Sequence, residues 1–323
     1  MADLFNHIRE ELSEQFRNNF REGARATTDD TILYVQANDP GLSNTGNLKP
    51  DPELARQLES FDPRFVDGLL DVAKQKAGIT IAEAREVLGP ELTEAELASL
   101  VIQEVQRVPD FEFGAAIALE GQYGDLCIIL EPDLNNSYAS DLVSEVSGVE
   151  IANIGEFGMD SDDIERFVGA HEGAHCEQNE GDLIEQGIPF ELTEVEAEAL
   201  AELEAMRLEV ANGNPEAAEL MYAARLAGHD ISASSHQLTP YIDLDQVLPP
   251  DYERQFLPHD VTSWSEVAKT PIFQDRELFL ARVRDHELNT QAAQSAGTHN
   301  HAVNTQAQTP PDHESQLMQV NPP

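Results

Sequence analysis

Positively charged residues are scarce in this sequence. Its 19 lysines and arginines stand against 61 aspartates and glutamates, which gives a formal net charge of −42. Such a charge repels the phosphates of nucleic acids and the headgroups of anionic membranes, so we expect neither as a partner. The acidity has two further interpretations, a surface suited to a saline habitat or an attraction for a basic protein or peptide. The sequence leaves both open.

Cysteines and long apolar segments are also rare. The two cysteines, Cys127 and Cys176, are too few for a disulfide framework and form no Cys-x-x-Cys pair, so a reducing compartment is the default. The N-terminus carries acids throughout and lacks the apolar core of a signal peptide, and no segment approaches the roughly 18 apolar residues of a membrane span. These absences predict a cytoplasmic protein, although export by a leaderless route would leave no mark.

The first third of the chain has helical periodicity. In the opening segment apolar residues recur at steps of mostly four: Leu4, Phe5, Ile8, Leu12, Phe16 and Phe20. Residues 37–52 collect Pro, Gly, Asn and Asp as a loop does, and helical patterns follow at 53–76 and 92–107. This part is therefore predicted to be mainly α-helical.

The middle of the chain changes period. Two apolar runs either side of a polar turn predict a β-hairpin over 112–131, and 149–157 is predicted to be a further short strand. Strong helical patterns return at 193–213 and 215–229, and one more helix is expected at 274–287. The sequence therefore predicts a helix-dominated α+β fold with a small sheet.

A metal-binding pattern lies in the segment DSDDIERFVGAHEGAHCEQ, residues 160–178. Asp160 and the acids after it are typical of a helix start, which places the pattern on a helix. Two histidines four positions apart, His171 and His175, then project from one face and can share one Zn²⁺, while Glu172 can act as general base on a water molecule. The alternative is a pair of core histidines satisfied by hydrogen bonds, but the intervening glutamate favours zinc.

A catalytic zinc ion requires a third protein ligand. The metzincin extension is excluded, because Gln178 and Gly181 stand where that pattern has a glycine and a histidine. The remaining common arrangement takes a glutamate from a later helix, and such a helix begins near Glu194. The same acids are also typical of an ordinary helix start, since Thr193 and Glu196 form a capping box.

The sequence HEGAH at 171–175 followed by EVEAE at 194–198 resembles the gluzincin metallopeptidases, a resemblance that covers about 160–210. It implies three zinc ligands for one ion per chain: His171, His175 and Glu194. It also implies that Glu172 is the general base and that Glu198 is the acid that orients a ligating histidine, a place where the family usually has Asp. Glu198 is the next candidate for the ligand, and Glu202 is the third.

An oxyanion donor is expected downstream of the glutamate helix, where gluzincins often use a His or Tyr. His236, just past a run of small residues, is preferred to His229, although a structural role for either histidine is the alternative.

These observations predict a zinc-dependent hydrolase, specifically a metallo-endopeptidase that cleaves a peptide or protein substrate, for which a basic sequence is one option. The alternative is a non-catalytic acidic binding protein for a basic partner, with a structural metal site or none. The predicted organisation is a mainly helical N-terminal region (1–107), a zincin-like catalytic region with C-terminal helices (108–287) and a disordered tail (288–323) that is polar and low in complexity.

Overall fold

The protein has a helix-dominated α+β fold with a small sheet, as the sequence predicts. The computed structural model describes residues 2–36, 49–77, 80–105, 115–119, 121–132, 137–147, 150–151, 153–157, 160–178, 183, 192–227, 269–285 and 288. Among these residues, no helix is both long enough and apolar enough to cross a lipid bilayer.

The described part of the chain contains helices throughout and three strands in its first half. The helices are α1 (Ala2–Thr27), α2 (Pro52–Phe61), α3 (Arg64–Ala77), α4 (Ile81–Leu88), α5 (Glu94–Val105), α6 (Tyr138–Ser147), α7 (Ser161–Cys176), α8 (Glu194–Ala211), α9 (Pro215–Ala227), α10 (Pro271–Gln274) and α11 (276–285). The strands are β1 (Thr31–Gln36), β2 (Ala115–Ala118) and β3 (Leu126–Glu131).

Helix α1 confirms the predicted opening helix, and Phe16 and Phe20 of its apolar stripe are buried, while the side chains of the other four stripe residues lie outside the described part of the chain. The pattern at 53–76 divides into α2 and α3 at Asp62, whose backbone is extended. This break follows from Pro63, since a proline disfavours the helical conformation in the residue before it. Helix α4 was not predicted; a Thr80–Glu83 capping box begins it.

The sheet has the strand order β1-β3-β2, with β3 parallel to β1 and antiparallel to β2. The β2–β3 pair confirms the predicted hairpin. Strand β1 was not predicted, because its partner lies far away in sequence: Leu33 pairs with Ile128. All six residues of the central strand β3 are buried, which agrees with its continuous apolar run.

The strand predicted at 149–157 is wrong. The described residues there include a 3₁₀ helix, Ile154–Phe157. The backbone N–H of Ile151 donates to Ser144 Oγ (2.9 Å) and that of Ile154 donates to Ser140 Oγ (3.2 Å). Serines of α6 thus accept the hydrogen bonds that a neighbouring strand would otherwise accept, while both isoleucine side chains are buried.

Two helical layers cover the two faces of the sheet. The apolar layer consists of α2, α3 and α5, which pack on the face that carries Leu33, Ile128 and Leu130. The charged layer consists of α1, α6–α9 and the segment 271–285, which pack on the face that carries Cys127 and Ile129. The predicted regional boundaries stay a prediction, and the predicted tail, apart from Leu288, lies outside the described residues.

Helix α1 crosses α7 at very short range. A Cβ atom added to Gly169 of α7 would lie 1.8 Å from the carbonyl oxygen of Phe20, and one added to Gly173 would lie 2.3 Å from that of Ala24. Only glycine permits this backbone approach. The crossing therefore fixes the position of α7 in the charged layer.

A disulfide joins Cys127 in β3 to Cys176, the last residue of α7, with a Cα–Cα distance of 5.5 Å. The sequence analysis did not predict this pairing, because two cysteines separated by 49 positions carry no spacing signal. The bond ties the central strand to the end of α7, one residue after His175.

Candidate metal centre

The predicted metal pattern lies on helix α7, as its start signals indicate. Asp160 is the N-cap with extended backbone, and its N–H donates to the Asp163 carboxylate. The helix is buried on almost every side, because α1, α8 and the sheet pack around it. His171 and Glu172 are each only 6% exposed.

The structure brings three predicted side chains together. Oε2 of Glu198, on α8, lies 3.3 Å from Nε2 of His171 and 3.3 Å from Nε2 of His175. The two Nε2 atoms lie 3.2 Å apart, and the rings are nearly perpendicular, at 83°. Each side chain thus offers one ligand atom to a common point between α7 and α8.

These separations agree with the geometry of a zinc site. Zinc–nitrogen and zinc–oxygen bonds of about 2.0–2.1 Å at tetrahedral angles place neighbouring ligand atoms about 3.3–3.4 Å apart. Two imidazole nitrogens and one carboxylate oxygen also form a donor set that Zn²⁺ accepts. The three residues could therefore hold a metal ion, and the same distances equally suit direct hydrogen bonds in its absence.

The outer nitrogen of each imidazole ring has a partner of its own. Nδ1 of His171 lies 3.2 Å from Oε2 of the fully buried Glu202, one turn after Glu198 on α8. Nδ1 of His175 lies 3.0 Å from Oε1 of Gln178. With both Nδ1 atoms engaged, both Nε2 atoms face the common point.

The carboxylates control the protonation of His171. Burial of the imidazole opposes its charged form, but hydrogen bonds to Glu198 and Glu202 raise the pKa of His171 to about 10. The two carboxylates thus favour the protonated form of His171. A metal ion that binds Nε2 must displace a proton, so metal affinity will rise with pH.

The carboxyl group of Glu172 has a raised pKa. Burial raises the pKa of this carboxyl, the two histidines lower it and Glu198 raises it, with a net increase. A carboxylate with a raised pKa accepts a proton more readily near neutral pH. The phenol of Tyr138 lies in the same buried surroundings, since burial and the charges of Glu172 and Glu165 raise the pKa of Tyr138.

Other predicted site residues are not tested by the structure. Glu194 is the first residue of α8, but its side chain lies outside the described residues, so its role as a ligand stays a prediction. His236 and the alternative His229 also lie outside them.

Comparison of the chain with protein-family models, with curated proteins and with solved structures gave no match.

Sequence reasoning ranked Glu202 last and did not consider Gln178 as part of the site. The signal for Glu202 was present, because glutamates at 194, 198 and 202 repeat at one-turn intervals along one face of α8. The gluzincin-like pair of acids four positions apart fits this repeat in two registers. The position of α8 along α7 decides which of the two pairs of glutamates lies next to the histidines.

Proposed function

We propose that the protein is a zinc-dependent hydrolase, specifically a metallo-endopeptidase. The observation that carries this proposal is the set of three separations, 3.2, 3.3 and 3.3 Å, among Nε2 of His171, Nε2 of His175 and Oε2 of Glu198. We assign the three ligand roles to these residues. The glutamate ligand is thus placed one helical turn later than the resemblance to gluzincins implies.

The surrounding residues have distinct roles in this proposal. The carboxylate of Glu202, 3.2 Å from Nδ1 of His171, would orient the ring and make it a better donor to a metal. Zn²⁺, when bound, would polarise a substrate carbonyl and lower the pKa of a water molecule. Glu172 takes the proton of the attacking water and passes it to the leaving amine, as a buried carboxylate with raised pKa is suited to do.

The choice of peptide as substrate rests on the resemblance to gluzincins and on charge. A net charge of −42 attracts basic polypeptides and repels acidic ones. We include a zincin-like arrangement in the proposal because of the resemblance to gluzincins, in which a small sheet, the histidine helix α7 and the glutamate helix α8 would follow one another along the chain.

A second candidate is a non-catalytic acidic protein that binds a basic partner. The pKa of about 10 for His171 favours it, because this histidine forms a complete ionic network with Glu198 and Glu202 without any metal. In that case the cluster would be a buried structural network or a structural metal site.

Metal content and hydrolysis distinguish the two candidates. The purified full-length protein should hold about one zinc ion per chain, and His171→Ala should abolish its retention. Glu172→Gln should retain zinc but lose peptide hydrolysis by a factor of about 10²–10⁴, because the amide cannot accept the proton. Glu165→Gln, the same change two turns earlier on α7, is the matched control and should keep both. A wild type that remains metal-free when zinc is supplied, or a Glu172→Gln variant that cleaves at the wild-type rate, would contradict the proposal.

A further inference from the structure

The two histidines of the metal centre are held by different chemical groups. His171 is held by a carboxylate, that of Glu202 on α8. His175 is held by an amide, that of Gln178, in the turn directly after α7. Gln178 also makes a second contact: its Nε2 donates to the backbone carbonyl of Ala197 at 2.8 Å. Ala197 is the residue before Glu198, so one side chain contacts both sides of the centre.

The hydrogen bond to Ala197 determines which end of the Gln178 amide group faces His175. A backbone carbonyl only accepts hydrogen bonds, so the NH₂ group of Gln178 must face Ala197 and the amide oxygen must face His175. Because that oxygen also only accepts, Nδ1 of His175 carries the proton. With Nδ1 turned toward Gln178, Nε2 of the same ring faces His171 and Glu198, which is the orientation that a metal ligand requires.

From these contacts we propose that Gln178 is a positioning residue of the metal centre: it fixes the tautomer and ring orientation of His175 and ties the end of α7 to α8 beside Glu198. The proposal rests on the metal-binding role assigned above. It adds a residue that the sequence pattern does not include.

The end of α7 does not depend on Gln178 for its fold. Cys176 is bonded to Cys127 in the central strand, and the backbone N–H of Gln178 itself donates to the carbonyl of His175 at 3.1 Å. Both contacts persist when the side chain is changed. Loss of the amide should therefore release the His175 ring while the helix stays in place, so that metal affinity changes more than stability.

The test compares three variants of the full-length protein. Gln178→Leu removes both hydrogen bonds at similar volume. Gln178→Glu keeps an acceptor for Nδ1 of His175 and loses the donor to Ala197. Gln57→Leu is the matched control, since Gln57 donates from the same amide group to the carbonyl of Tyr34 at 3.0 Å, between α2 and β1.

Zinc affinity is measured by competition with a chelator, and the ligand geometry by the visible spectrum of the Co²⁺ form. We expect Gln178→Leu to weaken zinc binding by about 10–100-fold, the usual effect of removing the outer partner of a ligating histidine, and to change the Co²⁺ spectrum. Gln178→Glu should remain within about tenfold of the wild type, since the accepting oxygen is kept. Gln57→Leu should leave both quantities unchanged.

A second measurement needs no metal. In ¹⁵N-histidine spectra of the metal-free protein, the His175 signals, assigned by their absence in His175→Ala, should report a proton on Nδ1 in the wild type and a mixture of tautomers in Gln178→Leu. If zinc affinity and tautomer are both unchanged in Gln178→Leu, the positioning role is overturned. If the wild type binds no metal, the proposed function fails, and the tautomer measurement alone still decides whether Gln178 positions His175.

Discussion

The two helical layers of the protein differ in where they place charge. In the apolar layer the charged side chains lie at the surface: Arg64, for example, is 45% exposed and pairs there with Asp62 and Asp125. In the charged layer and at the adjoining end of β3, charged or titratable residues are buried: Glu131, Glu165, His171, Glu172, Glu196, Glu202, Glu209 and Glu219. Burial of an ionised carboxylate is costly unless it is paired. The comparison indicates that the apolar layer stabilises the fold, whereas the charged layer contains the buried charges, among them those of the candidate metal centre.

Five of these buried carboxylates fall into two groups according to their partners. Some pair with arginine: Glu131 with Arg21, Glu209 with Arg166 and Glu196 with Arg284. Others, Glu172 and Glu202, lie near histidines. An arginine stays charged at all accessible pH values, whereas a histidine can exchange its proton for a metal. The partner thus separates structural carboxylates from those of the candidate centre.

The strongest test of the comparison removes a side chain from the apolar layer. Phe65 is fully buried there, so Phe65→Ala should cost about 3–5 kcal/mol of unfolding free energy. Zinc affinity should not change. Denaturant unfolding of the metal-free protein and chelator competition measure the two quantities. A large loss of zinc affinity would show that the layers are not separate in function.

A change in the charged layer should instead lower zinc affinity. Glu198→Gln removes the charge of the acid that contacts both histidines, so zinc affinity should fall by more than about 10²-fold, the largest effect expected from an outer partner. Glu194→Gln, one turn earlier, is the matched control. If Glu194→Gln instead abolishes binding and Glu198→Gln does not, the ligand register implied by the resemblance is correct.

The pH dependence that Glu165 gives to the unfolding free energy measures the cost of burying a carboxyl group in the charged layer. Burial raises the pKa of this carboxyl from 4.5 to about 7, which a hydrogen bond from Asn19 only partly opposes. Since the folded state holds this proton more tightly than the unfolded state, the contribution of Glu165 to stability is greatest below pH 4.5 and falls as pH rises toward 7. With about 1.4 kcal/mol per pKa unit, the loss is roughly 3 kcal/mol.

The variant Glu165→Gln cannot titrate and should lack this loss. Unfolding free energies of both proteins, measured from pH 4.5 to 8, should therefore show the variant gaining on the wild type by roughly 3 kcal/mol across that range. Asp162→Asn, at the same end of α7, serves as the control. Parallel pH profiles for wild type and Glu165→Gln would show that Glu165 ionises normally.

The smallest effect concerns glycines, one in each layer. Gly169→Ala places a methyl group against the backbone of α1, which cannot move independently, so we expect a cost of about 1–3 kcal/mol. Gly68→Ala in α3 meets a terminal methyl of Leu119, which can rotate away, and alanine gains about 1 kcal/mol in helix propensity. Thermal unfolding should thus show a lower melting temperature only for Gly169→Ala. Equal effects would contradict the close crossing of α1 and α7.

The parts of the molecule that local sequence determines were predictable. The helix that carries His171 and His175 has a capped start, and the β2–β3 hairpin has a short connection, so both have signals within a few residues. Strand β1 pairs with residues almost a hundred positions away, and parallel pairing of this kind leaves no local turn signal. Ile151 and Ile154 are apolar, as in a strand, but lie beside α6, where serine hydroxyls accept hydrogen bonds from their backbone N–H groups.

The candidate centre was predictable only in part for the same reason. The spacing of the two histidines is a property of one helix. Which of Glu194 and Glu198 can be the ligand depends on the position at which α8 packs along α7. The position of Gln178 depends on the turn after α7 and on the carbonyl of Ala197, nineteen residues later. Such contacts between elements become visible only in three dimensions.

The disulfide has a topological consequence for the histidine helix. The bond between Cys127 and Cys176 closes a covalent ring that contains all of β3 except Leu126, the whole of α6 and all of α7, with both histidines. A single proteolytic cut within this ring opens it but separates no fragment, because the two halves remain joined through sulfur. Under non-reducing conditions, His171 and His175 therefore stay covalently attached to the central strand after a nick anywhere between the two cysteines.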